Sequence, residues 1–131
     1  MSQLWQAAAP STQEPDSELL IRLAGTADAL MAREPLEANQ EDMEQIEAWL
    51  AQPAEKWLHL IQQLPQEQWL NLAIFFTVAE EQTSHWQCGA NNPAIVIFRE
   101  LKKQGKLPDK PVIRHIKSLT TNRYIPYGAA L

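Results

Sequence analysis

The side chains best suited to chemistry sit in one short stretch, residues 83–91. Cys88 is the single cysteine, and His85 stands three residues before it. His-x-x-Cys offers ligand types and a spacing that zinc accepts, with Glu81 or the distant His115 as a third ligand. Two ligands do not close a site, so His85 and Cys88 remain an incomplete pair. The same two residues suit a nucleophile and its base. A reactive thiol needs an electropositive, partly exposed setting, and Cys88 lies where the basic part of the chain begins, beside Gly89. No third group that would orient the base is identifiable. Glu80 and Glu81 are neighbours on a helix and diverge, so they do not make a facing carboxylate pair. The four glycines are scattered. They form neither a phosphate loop nor a Gly-x-Gly-x-x-Gly turn. The sequence therefore offers no catalytic constellation and no cofactor site, and the expectation is a protein that binds rather than catalyses.

Charge carries the clearer hint. The net charge of −5 hides a segregation. Residues 1–82 hold 14 acids and three bases, a balance of −11, whereas residues 83–131 hold two acids and eight bases, a balance of +6. The eight bases are Arg99, Lys102, Lys103, Lys106, Lys110, Arg114, Lys117 and Arg123. On a helix Lys110, Arg114 and Lys117 form one stripe, opposite Ile113 and Ile116. Clustering of 99–106 toward a helix C-terminus is favoured in part by the helix dipole alone. Together the eight are the expected anion-facing or partner-binding surface. The basic pair of helices over 92–120 has the outline of a helix-turn-helix. Its link, 105–109, is long for that motif, and its second helix lacks the Asn and Gln side chains that commonly read bases. Any nucleic-acid contact is therefore expected to fall on phosphates.

Aromatic residues point toward protein partners. Five tryptophans are present in 131 residues, and a core of this size is expected to hold about three, among them Trp57, Trp69 and one of Trp49 or Trp86. Trp5, Trp86, Tyr124 and Tyr127 are the candidate aromatic anchors. The primary expectation is a small binding or regulatory protein acting through protein–protein contact, with nucleic acid as the alternative. Pairing of the two charged halves between copies would make a homodimer.

These residues must be positioned by helices. Prolines punctuate the chain at short-helix spacing, and apolar residues recur every three or four positions between them. Helices are expected over about 16–33, 40–52, 54–64, 66–82, 92–105 and 110–120. Asp16 or Ser17, Asn39 and Asn92 suit their starts. Pro53, Pro65, Pro93 and Pro111 suit first positions, and Gly105 suits a left-handed stop. The 66–82 segment is apolar around nearly its whole circumference, so it should be buried all round, with Glu80, Glu81 and Gln82 returning to water at its end. The predicted fold is an all-α bundle of five to six short helices around 66–82. It forms one domain over 16–131, acidic over 16–82 and basic over 83–131. Residues 1–15 read as an irregular arm, and Pro126 favours an extended C-terminal tail. The longest nearly apolar run, 72–79, is far too short to span a bilayer. No basic, apolar leader opens the chain. The expected location is cytoplasmic, without a membrane partner.

Overall fold

The computed structural model describes residues 14–83, 85, 86 and 88–128. The described residues form an all-helical fold without strands. Residues 17–31 are helical, but not as one piece. α1 (Ser17–Ala24) and α2 (Ala27–Met31) are separated at Gly25 and Thr26. Gly25 is the weakest helix former of the stretch, and the Thr26 hydroxyl bonds back to the Leu23 carbonyl at 2.7 Å. Asp16 caps α1 by accepting from the Leu19 N–H at 2.9 Å. α3 (Gln40–Trp49) starts at Asn39, whose side chain accepts from the N–H groups of Glu41 and Asp42. α4 (Ala54–Gln62) follows Pro53 directly. A 3-10 turn (Gln66–Gln68) leads into α5 (Trp69–Gln82), and a second (Gly89–Asn91) leads into α6 (Pro93–Lys103). α7 (Lys110–Ser118) comes last. Counting the interrupted first helix once gives the six expected.

α5 is central. It buries Trp69 and every residue from Leu72 to Ala79, and α1, α2 and α6 pack on it, with α4 packed on α6. Such burial follows from a helix with no polar side until its end. Asn92 caps α6 through a 2.7 Å bond from the Ala94 N–H, and Gly105 ends it in the left-handed conformation, φ +70°.

The aromatic core is larger than the sequence suggests. Trp49, Trp57, Trp69 and Trp86 are all buried, so four tryptophans are inside rather than about three. Three of them fit because the rings are stacked edge to face, and the Trp69 indole N–H donates to the Leu64 carbonyl at 3.2 Å. Trp49, Trp57, Phe76, Phe75 and Trp86 form a continuous chain with centroids 5.2–6.3 Å apart. Each such pair adds about 0.5–1.5 kcal/mol beyond the area it buries. Trp86 is thus a core residue and not a surface anchor. Trp5 lies outside the described residues, as does most of the arm expected over 1–15.

Two further expectations are corrected. By their spacing Glu41, Asp42, Glu44 and Glu47 are expected to form the acidic surface of the 40–52 helix, but Asp42 does not belong to it. It is buried and accepts two hydrogen bonds from the Arg22 guanidinium, at 2.9 and 3.0 Å. The tail is not extended either: residues 123–127 fold into successive turns. Ile125 and Pro126 turn inward and are buried. Arg99 Nε donates to the Tyr127 carbonyl at 2.7 Å. Gly128 then lies so close to α6 that a Cβ there would stand 2.6 Å from Arg99 Nη2. Burial of Ile125 beside these bonds outweighs the solvation that an extended tail would keep.

Candidate functional site

The histidines and the cysteine are placed first by what holds the 83–91 stretch. Glu80, at the end of α5, is half-buried and gathers four donors. One carboxylate oxygen accepts from the N–H groups of Cys88 (3.0 Å) and Gly89 (3.1 Å). The other accepts from the side-chain amides of Asn92 (2.8 Å) and Asn122 (2.9 Å). Asn122 also donates to the Gly89 carbonyl at 2.9 Å. Glu80 therefore does not return to water but ties the loop, the α6 cap and the tail together. Gln82 is also engaged, accepting from the Leu36 N–H at 2.7 Å. Glu81 is exposed and accepts from the hydroxyls of Thr120 and Thr121 and from the Thr121 N–H. Desolvation raises its carboxyl pKa, but these bonds outweigh it and hold the group below the ordinary 4.5.

His85 and Cys88 are not brought into a common site. His85 Nε2 lies 2.8 Å from a Glu47 carboxylate oxygen, and His115 Nε2 lies 2.6 Å from the Met31 carbonyl. Among the described residues no group of three His, Cys, Asp or Glu side chains is placed to hold a metal. Burial, with the Glu80 carboxylate adding to it, pushes the Cys88 thiol up to about 11. A thiol of that pKa is protonated at neutral pH and is a poor nucleophile. Native protein at pH 8 should alkylate with iodoacetamide about a hundredfold more slowly than an unperturbed thiol, because the thiolate fraction falls by roughly that factor. A mass-spectrometric time course with and without urea checks this; equal rates would place Cys88 in the open.

The eight basic residues are all exposed. Arg99 and Lys102 come together at the tail, Arg99 on the Tyr127 carbonyl and Lys102 with its ammonium 4.5 Å from the centre of the Tyr127 ring. Arg123 lies over the Tyr124 ring. Tyr124 and Tyr127 are half-buried, so each presents one side to the body and one to a neighbouring cation. Lys103 approaches Glu100 at 3.9 Å. Lys110, Arg114 and Lys117 line the outer side of α7, whose one fully buried residue is Ile116. They share no acceptor with the α6 group among the described residues, and α7 packs little against α6. The compact helix pair of a helix-turn-helix is therefore absent. Across the two charged halves, the contact between a basic and an acidic side chain found among the described residues is the hydrogen bond between His85 and Glu47. Among the described residues no lysine or arginine of the second half pairs with an acid of the first.

A groove opens between the α3–α4 turn and α6. Its cavity measures about 790 Å³, within the range of roughly 300–1,000 Å³ usual for ligand sites. Leu50, Pro53 and Leu58 form one side and Ile95 and Val96 the other, with Trp57 between them. Arg99, Lys103 and Glu100 continue the α6 wall, and Glu55 stands on the opposite one. The Trp57 indole N–H is buried and has no hydrogen-bond partner among the described residues. Sequence reading missed this groove, although Leu58 sits off the buried stripe of α4. Such a residue faces neither core nor open water, and that is how a groove wall shows in a sequence.

No protein family, no curated protein and no solved structure matches the chain. No helix among the described residues is long and apolar enough to cross a membrane.

Proposed function

We propose that this chain is a non-catalytic binding protein of the cytoplasm that acts by receiving a partner protein in the α4–α6 groove. One observation carries the reading: a cavity with apolar walls and charged rims, against an otherwise well-covered core, Ile21 being the one exposed large apolar side chain among the described residues. The side chains best suited to catalysis are committed elsewhere. His85, His115, Glu80 and Glu81 all hold structural contacts, and the Cys88 thiol is kept protonated. The test is affinity capture from the host with wild type and with Val96→Arg, which places a charged side chain in the groove. A protein captured by wild type and lost with the variant is the expected result. The same set captured by both would overturn it.

A second reading, nucleic-acid binding, is favoured by the cations of the second half, with which no acid of the first half forms an ion pair among the described residues. Labelled duplex and single-stranded oligonucleotides titrated at low and near-physiological salt decide it. On this reading Lys110→Gln, Arg114→Gln and Lys117→Gln combined should lower affinity at least tenfold and flatten the salt dependence, by up to about one phosphate per cation. The variant should stay folded, because all three side chains are exposed. Absence of binding at low salt would remove this reading.

A further inference from the structure

We infer that residues 129–131 of this chain, Ala-Ala-Leu, fill the mouth of the α4–α6 groove, and that a partner must displace them to enter. The displacement rests on the binding-protein reading above; the filling does not. Residues 129–131 lie outside the described residues, and the tail before them sets where they start. Gly128 is fixed by its N–H bond to the Tyr124 carbonyl. The residue before it is fixed twice, by the Arg99 bond to the Tyr127 carbonyl and by the Lys102 ammonium over the Tyr127 ring. A Cβ at Gly128 would stand 2.6 Å from Arg99 Nη2 and 3.3 Å from Ile95 Cγ2. Ile95 and Arg99 also line the groove. They stand four residues apart, on one row of α6, and Lys102 continues that row. The tail therefore runs along one border of the groove wall, and residue 129 starts from that border.

Reach and chemistry both suit this occupant. Three extended residues span about 10 Å, and a helix with its side chains is about 10–12 Å across. From a start on Ile95 and Arg99 the segment passes the adjoining Val96 without crossing the whole of α6. Ala129, Ala130 and Leu131 carry no charge and one large apolar side chain. Leu58 and Val96 offer that side chain an apolar wall on each side. The charged lining balances itself, Arg99 and Lys103 against Glu55 and Glu100. A neutral segment enters without leaving any of these four charges unopposed. Gln52 and Asn91 supply side-chain amides to its backbone. Tethering at the border gives an effective concentration of about millimolar, so a weak contact is enough to keep the mouth filled for much of the time.

A diazirine-bearing side chain in place of Leu131, in the full chain, reads the position by photo-cross-linking and mass spectrometry. Cross-links to Leu58, Ile95 or Val96 are the expected result. The second measurement uses the combined Ala129→Ser, Ala130→Ser and Leu131→Ser variant, which keeps length and charge. Methyl resonances of Leu58 and Val96 should shift, while those of the core residues Leu20 and Leu23 stay in place. The apolar dye anilinonaphthalene sulfonate should bind this variant about two- to tenfold more tightly than wild type, as expected if the segment fills the groove for half to nine-tenths of the time. Val96→Arg added to the variant should abolish that gain, and circular dichroism confirms that each variant is folded. Cross-links elsewhere or none, unchanged Leu58 and Val96 methyls, or equal dye affinity would each overturn the proposal. A host protein lost with Val96→Arg, yet captured no better by the serine variant than by wild type, would overturn the displacement and leave the binding-protein reading standing. Groove cross-links together with the same proteins captured by wild type and Val96→Arg would do the reverse, removing that reading and keeping residues 129–131 in the groove.

Discussion

Phe76→Ala should lower the unfolding free energy by about 3–5 kcal/mol, the usual cost of truncating a fully buried phenylalanine. Phe76 is 1% exposed and lies mid-way along α5. Its ring meets Trp57 at 5.3 Å and Phe75 at 5.2 Å, both edge to face. The loss therefore includes two ring contacts as well as transfer of the ring from water. The hole left behind cannot collapse easily. Trp57 is held from its far side by Trp49, and Phe75 by Trp86. Urea denaturation reads the effect as a shift of midpoint at unchanged slope. A variant within about 1 kcal/mol of wild type would contradict the central place of α5.

That prediction was legible in the sequence because it depends on pattern alone. An apolar run that covers nearly every side of a helix, interrupted only by Thr77, has one physical solution, and α5 adopts it. The caps at Asp16, Asn39 and Asn92 were legible for a similar reason, since each is a local hydrogen bond between near neighbours. Gly105 was legible because a stop in the left-handed region suits glycine. The first helix was half-legible. Its stripe is continuous, but whether Gly25 bends or breaks a helix is decided by what α1 and α2 each pack on, and both pack on α5. The tail misled, because the restriction Pro126 places on Ile125 says what the backbone avoids and not what the side chain buries. The groove was hardest. It is a property of two walls more than 30 residues apart in sequence, Leu58 and Val96 among them, and neither wall alone departs from an ordinary helix surface. The basic residues were legible as a group by charge. Their division between the α6 end and α7 depends on how the two helices are set against the body.

Glu80 is the residue whose importance the sequence concealed most, and Glu80→Gln should cost about 2–4 kcal/mol despite its near-identical shape. Its four partners are all donors: two backbone N–H groups on one oxygen, two asparagine amides on the other. A carboxylate accepts at both oxygens, whereas a glutamine must turn its own NH2 toward one of these pairs. Either orientation leaves two donors facing a donor. Asn92 is 1% exposed, so water cannot replace the lost acceptor there, and an unsatisfied buried donor costs about 1–3 kcal/mol. If the glutamine turns its NH2 to the backbone pair instead, the Cys88 and Gly89 amides lose their acceptor and the 88–92 turn loosens. Glu80→Ala loses all four bonds but opens space at a half-buried edge where water can enter, so it should be no worse than Glu80→Gln by more than about 1 kcal/mol. Urea denaturation of both variants gives the energies. Amide exchange at Cys88 and Gly89 shows which pair of donors was abandoned. A Glu80→Gln protein within about 0.5 kcal/mol of wild type, with those amides still protected, would mean that the carboxylate does not hold the loop.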